Sequence, residues 1–187
     1  MSPILGIVAS SNFQRVTSSY DSIATASGTG SSATISFTSI PATYTHLQIR
    51  GIWNTTTGSP FWAYYVKLNS DTTAANYRSH VLDGSGSAAS SYTSTTYAGA
   101  LIPSTGAGST ASTTMSPMVM DILDYANTSK NKVTRTLNGV DLNGSGYINF
   151  ASGLWMNTAA ITQIDIVSAS GNHSTLTQFA LYGIKGA

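Results

Sequence analysis

The sequence predicts an all-β protein, an antiparallel two-sheet sandwich of jelly-roll type with an extended N-terminal arm. Charged residues make up 8% of the chain, and none of its 7 acidic residues is a glutamate, whereas exposed helix faces are usually built with Glu, Lys and Arg. Serine and threonine together account for 55 of the 187 residues, which suits strands and turns. Short stretches of alternating apolar and polar residues recur, and no helical periodicity lasts beyond a turn or two.

The chain starts with a short apolar run inside SPILGIVASS. We predict that residues 1–19 form an anchoring arm with a flexible lead and that residues 20–187 form the head domain. The run is too short for a secretory signal or a membrane span, so we expect no membrane insertion. The alternative is that residues 4–8 form the first strand of the head's own sheet. The candidate anchoring residues are Ile4, Leu5, Ile7, Val8 and Phe13.

Alternating patterns place the strands of the head domain in order along the chain. The predicted strands cover residues 20–26, 33–37, 45–53, 61–69, 77–84, 92–101, 118–125, 132–139, 146–156, 161–167 and 177–185. The strand at 92–101 lies within a region rich in Ser, Thr, Gly and Ala that we expect to form surface loops. The segment ANTSKN predicts a hairpin connection, and DLNGSG predicts a hairpin turn. So many short strands indicate a sandwich, commonly a jelly roll.

Charge and cysteine content exclude several classes of function. The net charge is +1 and the 8 basic residues are scattered singly, so the basic stripe that nucleic acid requires is missing and no nucleic-acid partner is expected. With no cysteine in the chain, disulfides and thiolate metal sites cannot form. No metal and no cofactor are expected.

No catalytic residue is predicted, and we expect the protein not to be an enzyme. His46, His80 and His173 are far apart in sequence, and the chain has no G-x-S-x-G motif for a serine nucleophile. Asp121 and Asp124 fall on opposite faces of a predicted strand, which argues against a glycosidase pair and a depolymerising enzyme.

The segment DLNGSG also resembles the start of a calcium loop. Its twelfth position, where a bidentate glutamate is needed, is Ser152. A single hydroxyl cannot replace that ligand, so the calcium interpretation fails.

Aromatic residues leave a second class of function open, a carbohydrate-binding module. Ten tyrosines and three tryptophans offer flat rings with polar tips, which sugar-binding surfaces use. Positions in the core and at a subunit interface also explain them, and we favour the interface over sugar binding. The candidate glycan-binding residues are Trp53, Trp62, Tyr64, Tyr65 and Tyr92.

Six segments together carry a resemblance to a known family. They are SPILGIVASS, FTSIPATYTHLQIRG, LNSDTTAANYRSH, DILDYANTSKNK, SGLWMNTAAITQIDI and FALYGIKG. These segments resemble small virion-associated structural proteins of tailed bacteriophages, especially cyanophages, which are fibre or decoration proteins. The similarity covers most of the chain and is weakest over residues 85–115.

The resemblance implies a component of the phage particle and supplies no catalytic residues. We therefore expect a virion structural protein, either a surface fibre or spike or a capsid decoration (cement) subunit, assembled in the cytoplasm of the bacterial host. The flexible lead favours a fibre head. Expected partners are other capsid or tail proteins, further copies of the chain in a homo-oligomer, by analogy a trimer, and a host surface glycan in the alternative function.

Overall fold

The computed structural model describes residues 19–58, 61–103 and 113–186. Within these ranges no helix has the length and apolar character needed to cross a membrane. The chain instead forms strands, with one 3-10 turn at Ala74–Asn76. The strands are β1 (Tyr20–Ser27), β2 (Thr34–Phe37), β3 (His46–Trp53), β4 (Tyr64–Leu68), β5 (Tyr77–Gly84), β6 (Ala89–Ser94), β7 (Ala100–Ile102), β8 (Ser116–Leu123), β9 (Lys132–Asp141), β10 (Gly146–Trp155), β11 (Ile164–Ser168) and β12 (Gln178–Ile184).

The strands build two antiparallel sheets that pack as a sandwich, as the sequence predicts. The large sheet has eight strands in the order β1-β12-β3-β8-β9-β10-β5-β6, and the small sheet has four in the order β2-β11-β4-β7. A jelly roll is an eight-stranded double sheet made of two Greek keys. The unequal division into eight and four strands does not confirm that form.

The hydrophobic core lies between the small sheet and the inner face of the large one. Because side chains alternate along a strand, every second residue of β3 and β8 points inward. Leu47, Ile49, Met120 and Ile122 are wholly buried in this way. From the small sheet, the fully buried residues are Tyr64, Val66, Leu68, Ile102, Ile164 and Ile166.

The single strand predicted over residues 92–101 is wrong, because the structure contains two strands there. β6 pairs with β5 in the large sheet, whereas β7 pairs with β4 in the small sheet. The chain therefore leaves one sheet and enters the other within this segment. The burial differs accordingly, since all three residues of β7 are buried and five of the six residues of β6 are exposed.

Both predicted hairpins are confirmed. β8 and β9 pair on either side of ANTSKN, and β9 pairs with β10 through DLNGSG. In the second turn Asn143 and Gly144 have φ angles of 57° and 112°. Consecutive positive φ angles are the reason that Asn-Gly is favoured in two-residue hairpin turns. The Asp141 carboxylate accepts the backbone N–H of Asn143 at 2.8 Å, so this side chain closes the turn.

The inner face of β9 is unusually polar. Lys132, Thr134, Thr136 and Asn138 all point inward and are buried. The Lys132 ammonium donates to three backbone carbonyls, those of Asn127, Lys130 and Thr158, at 2.6, 2.8 and 2.9 Å. Burial lowers the pKa of this ammonium, and the Asp124 carboxylate opposes that effect. The alternation of β9 therefore leaves Val133 and Leu137 on the outer face, and Val140 is its one large apolar side chain on the inner face.

Candidate interaction surface

The outer face of the large sheet carries an unusual number of exposed apolar side chains. Eight of the exposed large hydrophobic residues lie on five adjacent strands, β3, β8, β9, β10 and β5. Isolated exposed apolar residues are normal, but a contiguous group marks an interaction site. We call this group the outer apolar face. Its residues are Ile52, Leu82, Val119, Leu123, Val133, Leu137, Ile148 and Phe150.

Strand register joins four of these residues into one continuous row. Leu82 pairs with Phe150, Phe150 pairs with Leu137, and Leu137 pairs with Val119. Directly paired residues share a face and touch across neighbouring strands. The row is thus an uninterrupted apolar band four strands wide, and it continues onto Arg50 of β3, which pairs with Val119.

A polar row crosses the same face beside the apolar row. Arg135 and Asp121 are direct register partners, and an Nη2 atom of Arg135 donates to an Asp121 oxygen at 2.8 Å. Gln48 Nε2 donates to the other oxygen at 2.7 Å. Burial opposes ionisation of Asp121, but these hydrogen bonds and the guanidinium charge outweigh it and lower the pKa of the carboxyl group. The face therefore carries one positive and one negative charge side by side.

Two grooves open on this face. The larger, of about 870 Å3, lies between the β5–β6 and β9–β10 turns, and its walls include Val119, Leu137 and Ile148. The smaller, of about 350 Å3, has Leu82 and Phe150 in its lining. Both grooves thus contain members of the outer apolar face, together with inward residues such as Met118 and Val81. Concave apolar surface of this kind buries more of a partner than a flat sheet does.

The candidate glycan-binding residues do not form one surface. Trp53 and Tyr64 are wholly buried, with ring centroids 3.7 Å apart, so the prediction that they stack on a sugar is corrected. Trp62 is exposed just before β4, whereas Tyr92 is exposed on β6 of the other sheet. Tyr65 is half-buried on β4 and stacks on Tyr97 with a centroid distance of 5.2 Å. Three of the five rings thus remain accessible. Burial raises the pKa of both Tyr65 and Tyr92 and Tyr97 raises each further, so these two rings lie near a common neighbour.

The three histidines lie in separate environments. His173 is fully buried, and its Nε2 contacts the Ile166 carbonyl at 3.0 Å. His46 Nδ1 accepts the backbone N–H of Asp124 at 3.0 Å, whereas His80 lies exposed on β5. Among the described residues no three His, Cys, Asp or Glu side chains are grouped so that they could hold a metal ion.

The candidate anchoring residues Ile4, Leu5, Ile7, Val8 and Phe13 lie outside the described residues.

Sequence reasoning missed the outer apolar face. Val133 and Leu137 alternate with polar residues, which ordinarily predicts that they face the core. The sequence holds one indication of this face. In both β9 and β10, the alternate positions that the structure buries carry mostly polar or small residues instead of large apolar ones.

Comparisons of the chain with known protein families, curated proteins and solved structures find no match.

Proposed function

We propose that this protein is a structural subunit of a tailed-bacteriophage particle, a surface fibre or spike head or a capsid decoration (cement) protein. On this proposal it has no enzymatic activity. Its partners are other capsid or tail proteins and further copies of itself, and it resides on the surface of the virion after assembly in the bacterial cytoplasm. The apolar N-terminal segment attaches it to the particle, and the β-sandwich is presented outward.

The observation that carries the proposal is the outer apolar face. A soluble monomer rarely exposes a contiguous apolar band of this extent, because its exposure to water is unfavourable. Covering such a band with another protein stabilises the assembly by about 25 cal/mol per Å2 of apolar area buried. The face therefore supports a role in which the chain works as part of a protein assembly, and the segment resemblance supports a phage particle as that assembly.

The alternative is a carbohydrate-binding, receptor-recognition module of a phage tail. Exposed Trp62 and Tyr92 favour it, but Trp62 lies in the segment before β4, whereas Tyr92 lies on β6 of the large sheet. A sugar that stacks on two rings needs them close together on one surface. The structure thus gives this alternative less support than the assembly role.

Particle incorporation tests the proposal. The full-length chain and a variant lacking residues 2–12 are each produced in infected cells, and the purified particles are probed for both. We expect the full-length chain in the particles and the truncated chain absent from them, with equal amounts of both in the lysate. Full-length chain that is missing from particles but binds host polysaccharide would favour the carbohydrate-binding module. Truncated chain that still joins particles would contradict anchoring by the N-terminal segment.

A further inference from the structure

We propose that two copies of this chain stack the outer faces of their eight-stranded sheets on each other, about a twofold axis that runs along the strands between β8 and β9. This inference rests on the proposed assembly function and names a partner for the outer apolar face. It differs from the trimer expected by analogy, because it follows from strand order and register.

Strand order places this axis at the centre of the sheet. β8 and β9 are the fourth and fifth of the eight strands, so half a turn about an axis between them lays all eight strands of one copy over all eight of the other. Rotation about an axis parallel to the strands keeps every residue at its own level and exchanges β8 with β9. Consider an outward residue of β9 and the β8 residue that pairs with it within the same chain. Across the interface, the β9 residue faces that same β8 residue in the partner subunit. A contact of this kind is isologous and closes as a dimer.

The apolar residues nearest the axis meet apolar residues in this arrangement. Leu137 is the register partner of Val119, and Val133 is the register partner of Leu123. Across the interface Leu137 faces Val119 of the partner subunit, and Val133 faces Leu123 of the partner subunit. The strands of two stacked sheets usually cross at about 30°. Close to the axis, this rotation displaces facing residues along the strands only slightly. These four contacts are therefore the best defined ones.

One strand further out, the arrangement stays complementary. The register runs from Phe150 through Leu137 and Val119 to Arg50, so Phe150 faces Arg50 of the partner subunit. A guanidinium over an aromatic ring is a favourable contact. Arg50 already lies 5.8 Å from the centroid of the Tyr20 ring, so its planar group is held among aromatic rings on this face.

Charges match under the same rotation. Arg135 and Asp121 stand at one level on either side of the axis, joined by the 2.8 Å hydrogen bond. The rotation places Arg135 over Asp121 of the partner subunit, and Asp121 over Arg135 of the partner subunit. The four charges therefore alternate in sign around the axis. Two like charges at these positions would repel instead. A guanidinium has five N–H donors and can serve both carboxylates.

The face is large enough for a stable dimer. Eight strands spaced by about 4.8 Å and about seven residues long at about 3.3 Å each give a face of roughly 900 Å2 per copy. Two such faces bury roughly 1,800 Å2, which is within the usual range of a specific protein–protein interface. Covering the whole sheet therefore needs no partner larger than a second copy.

Sedimentation of the purified full-length chain tests the stacking. We expect a mass of two chains, twice 19.4 kDa. Leu137→Asp should weaken association by about 100-fold or more, because it places a charge in the dry centre of the interface. Leu176→Asp is the matched control, since Leu137 and Leu176 are both 52% exposed and Leu176 lies in the turn before β12, off the face. It should leave the mass unchanged.

A charge exchange tests the axis itself. Asp121→Arg alone sets arginine against arginine, and Arg135→Asp alone sets aspartate against aspartate, so each variant should be monomeric. An equimolar mixture of the two should form a heterodimer, and the double variant carrying both changes should dimerise again. Dimerisation of the double variant would show that both changes are compatible with the fold. A near-UV circular dichroism spectrum of each single variant checks that the monomeric chains are folded.

A monomeric or trimeric wild-type chain would overturn the inference, as would equal masses for the two leucine variants or a mixture that stays monomeric. These outcomes are independent of the particle assay. A chain that dimerises but is absent from particles contradicts the proposed function alone, and a monomer found in particles contradicts the twofold stacking alone.

Discussion

Asp71 fixes the loop between β4 and β5 to the end of β10. Its Oδ2 accepts from Trp155 Nε1 and from Asn76 Nδ2, both at 2.8 Å, and its Oδ1 accepts the backbone N–H of Thr73 at 2.8 Å. Burial alone would raise the pKa of this carboxyl group, but the hydrogen bonds outweigh burial and lower the pKa from 3.8 to about 2. Such hydrogen bonds favour the charged form. The sequence did not predict this cluster, because Trp155, unlike the nearby Thr73 and Asn76, is 84 residues from Asp71 and reaches it only in the fold.

Acid should therefore remove part of the stability of the protein. The unfolded carboxyl group binds its proton near pH 3.8 and the folded one near pH 2, so the contribution of Asp71 is complete above about pH 4 and is lost as the pH falls to about 2. Asp71→Asn should lower the free energy of unfolding at neutral pH and flatten its decline below pH 4. Urea unfolding of both chains at several pH values measures this, and equal slopes in the two chains would show that Asp71 is not responsible.

Strand β9 shows how far a sequence pattern can be used at the level of an element. Its position, length and hairpin partner follow from alternation and from the turn residues on either side. Its orientation does not, because the alternation would equally put Val133 and Leu137 in the core. The inner positions of β9 and β10 lie under the short strand β7. Small residues at these positions allow β7 to approach the large sheet closely. Which face is buried thus depends on long-range packing that the local pattern does not contain.

Gly153 of β10 lies where this strand approaches β7 closely. A Cβ atom at this position would lie 2.9 Å from the Ala100 Cβ and would also collide with the Thr134 hydroxyl. Gly153→Ala should therefore push β7 outward and lower the free energy of unfolding by about 1–3 kcal/mol, as overpacking does. Urea unfolding measures the difference.

Gly58→Ala is the control for this prediction, since a Cβ atom there would have no neighbour within 4 Å. It should change stability by less than about 1 kcal/mol. If Gly153→Ala is as stable as this control, β7 does not pack on β10 as described.

The whole molecule is stabilised mainly by apolar packing. The described residues contain three ion pairs between Lys or Arg and Asp, and in each of them at least one side chain is 44% or more exposed. Exposed pairs contribute little, and salt screens them further.

The fold class could be predicted from the sequence, since low charge and alternation both reflect a β-sandwich with a hydroxyl-rich surface. The division of the strands between the two sheets could not, because it depends on pairings between distant segments.

Stability should accordingly respond to the kind of salt more than to ionic strength. Between low and about 1 M sodium chloride the free energy of unfolding should change by less than about 1 kcal/mol, because few charge pairs are available to be screened. Sodium sulfate should raise it, since sulfate is excluded from protein surfaces and strengthens apolar burial. The measurement is best made on the Leu137→Asp variant, where association does not contribute to the unfolding transition. A steep fall of stability in sodium chloride would mean that charge pairs, rather than the core between the two sheets, hold the sandwich together.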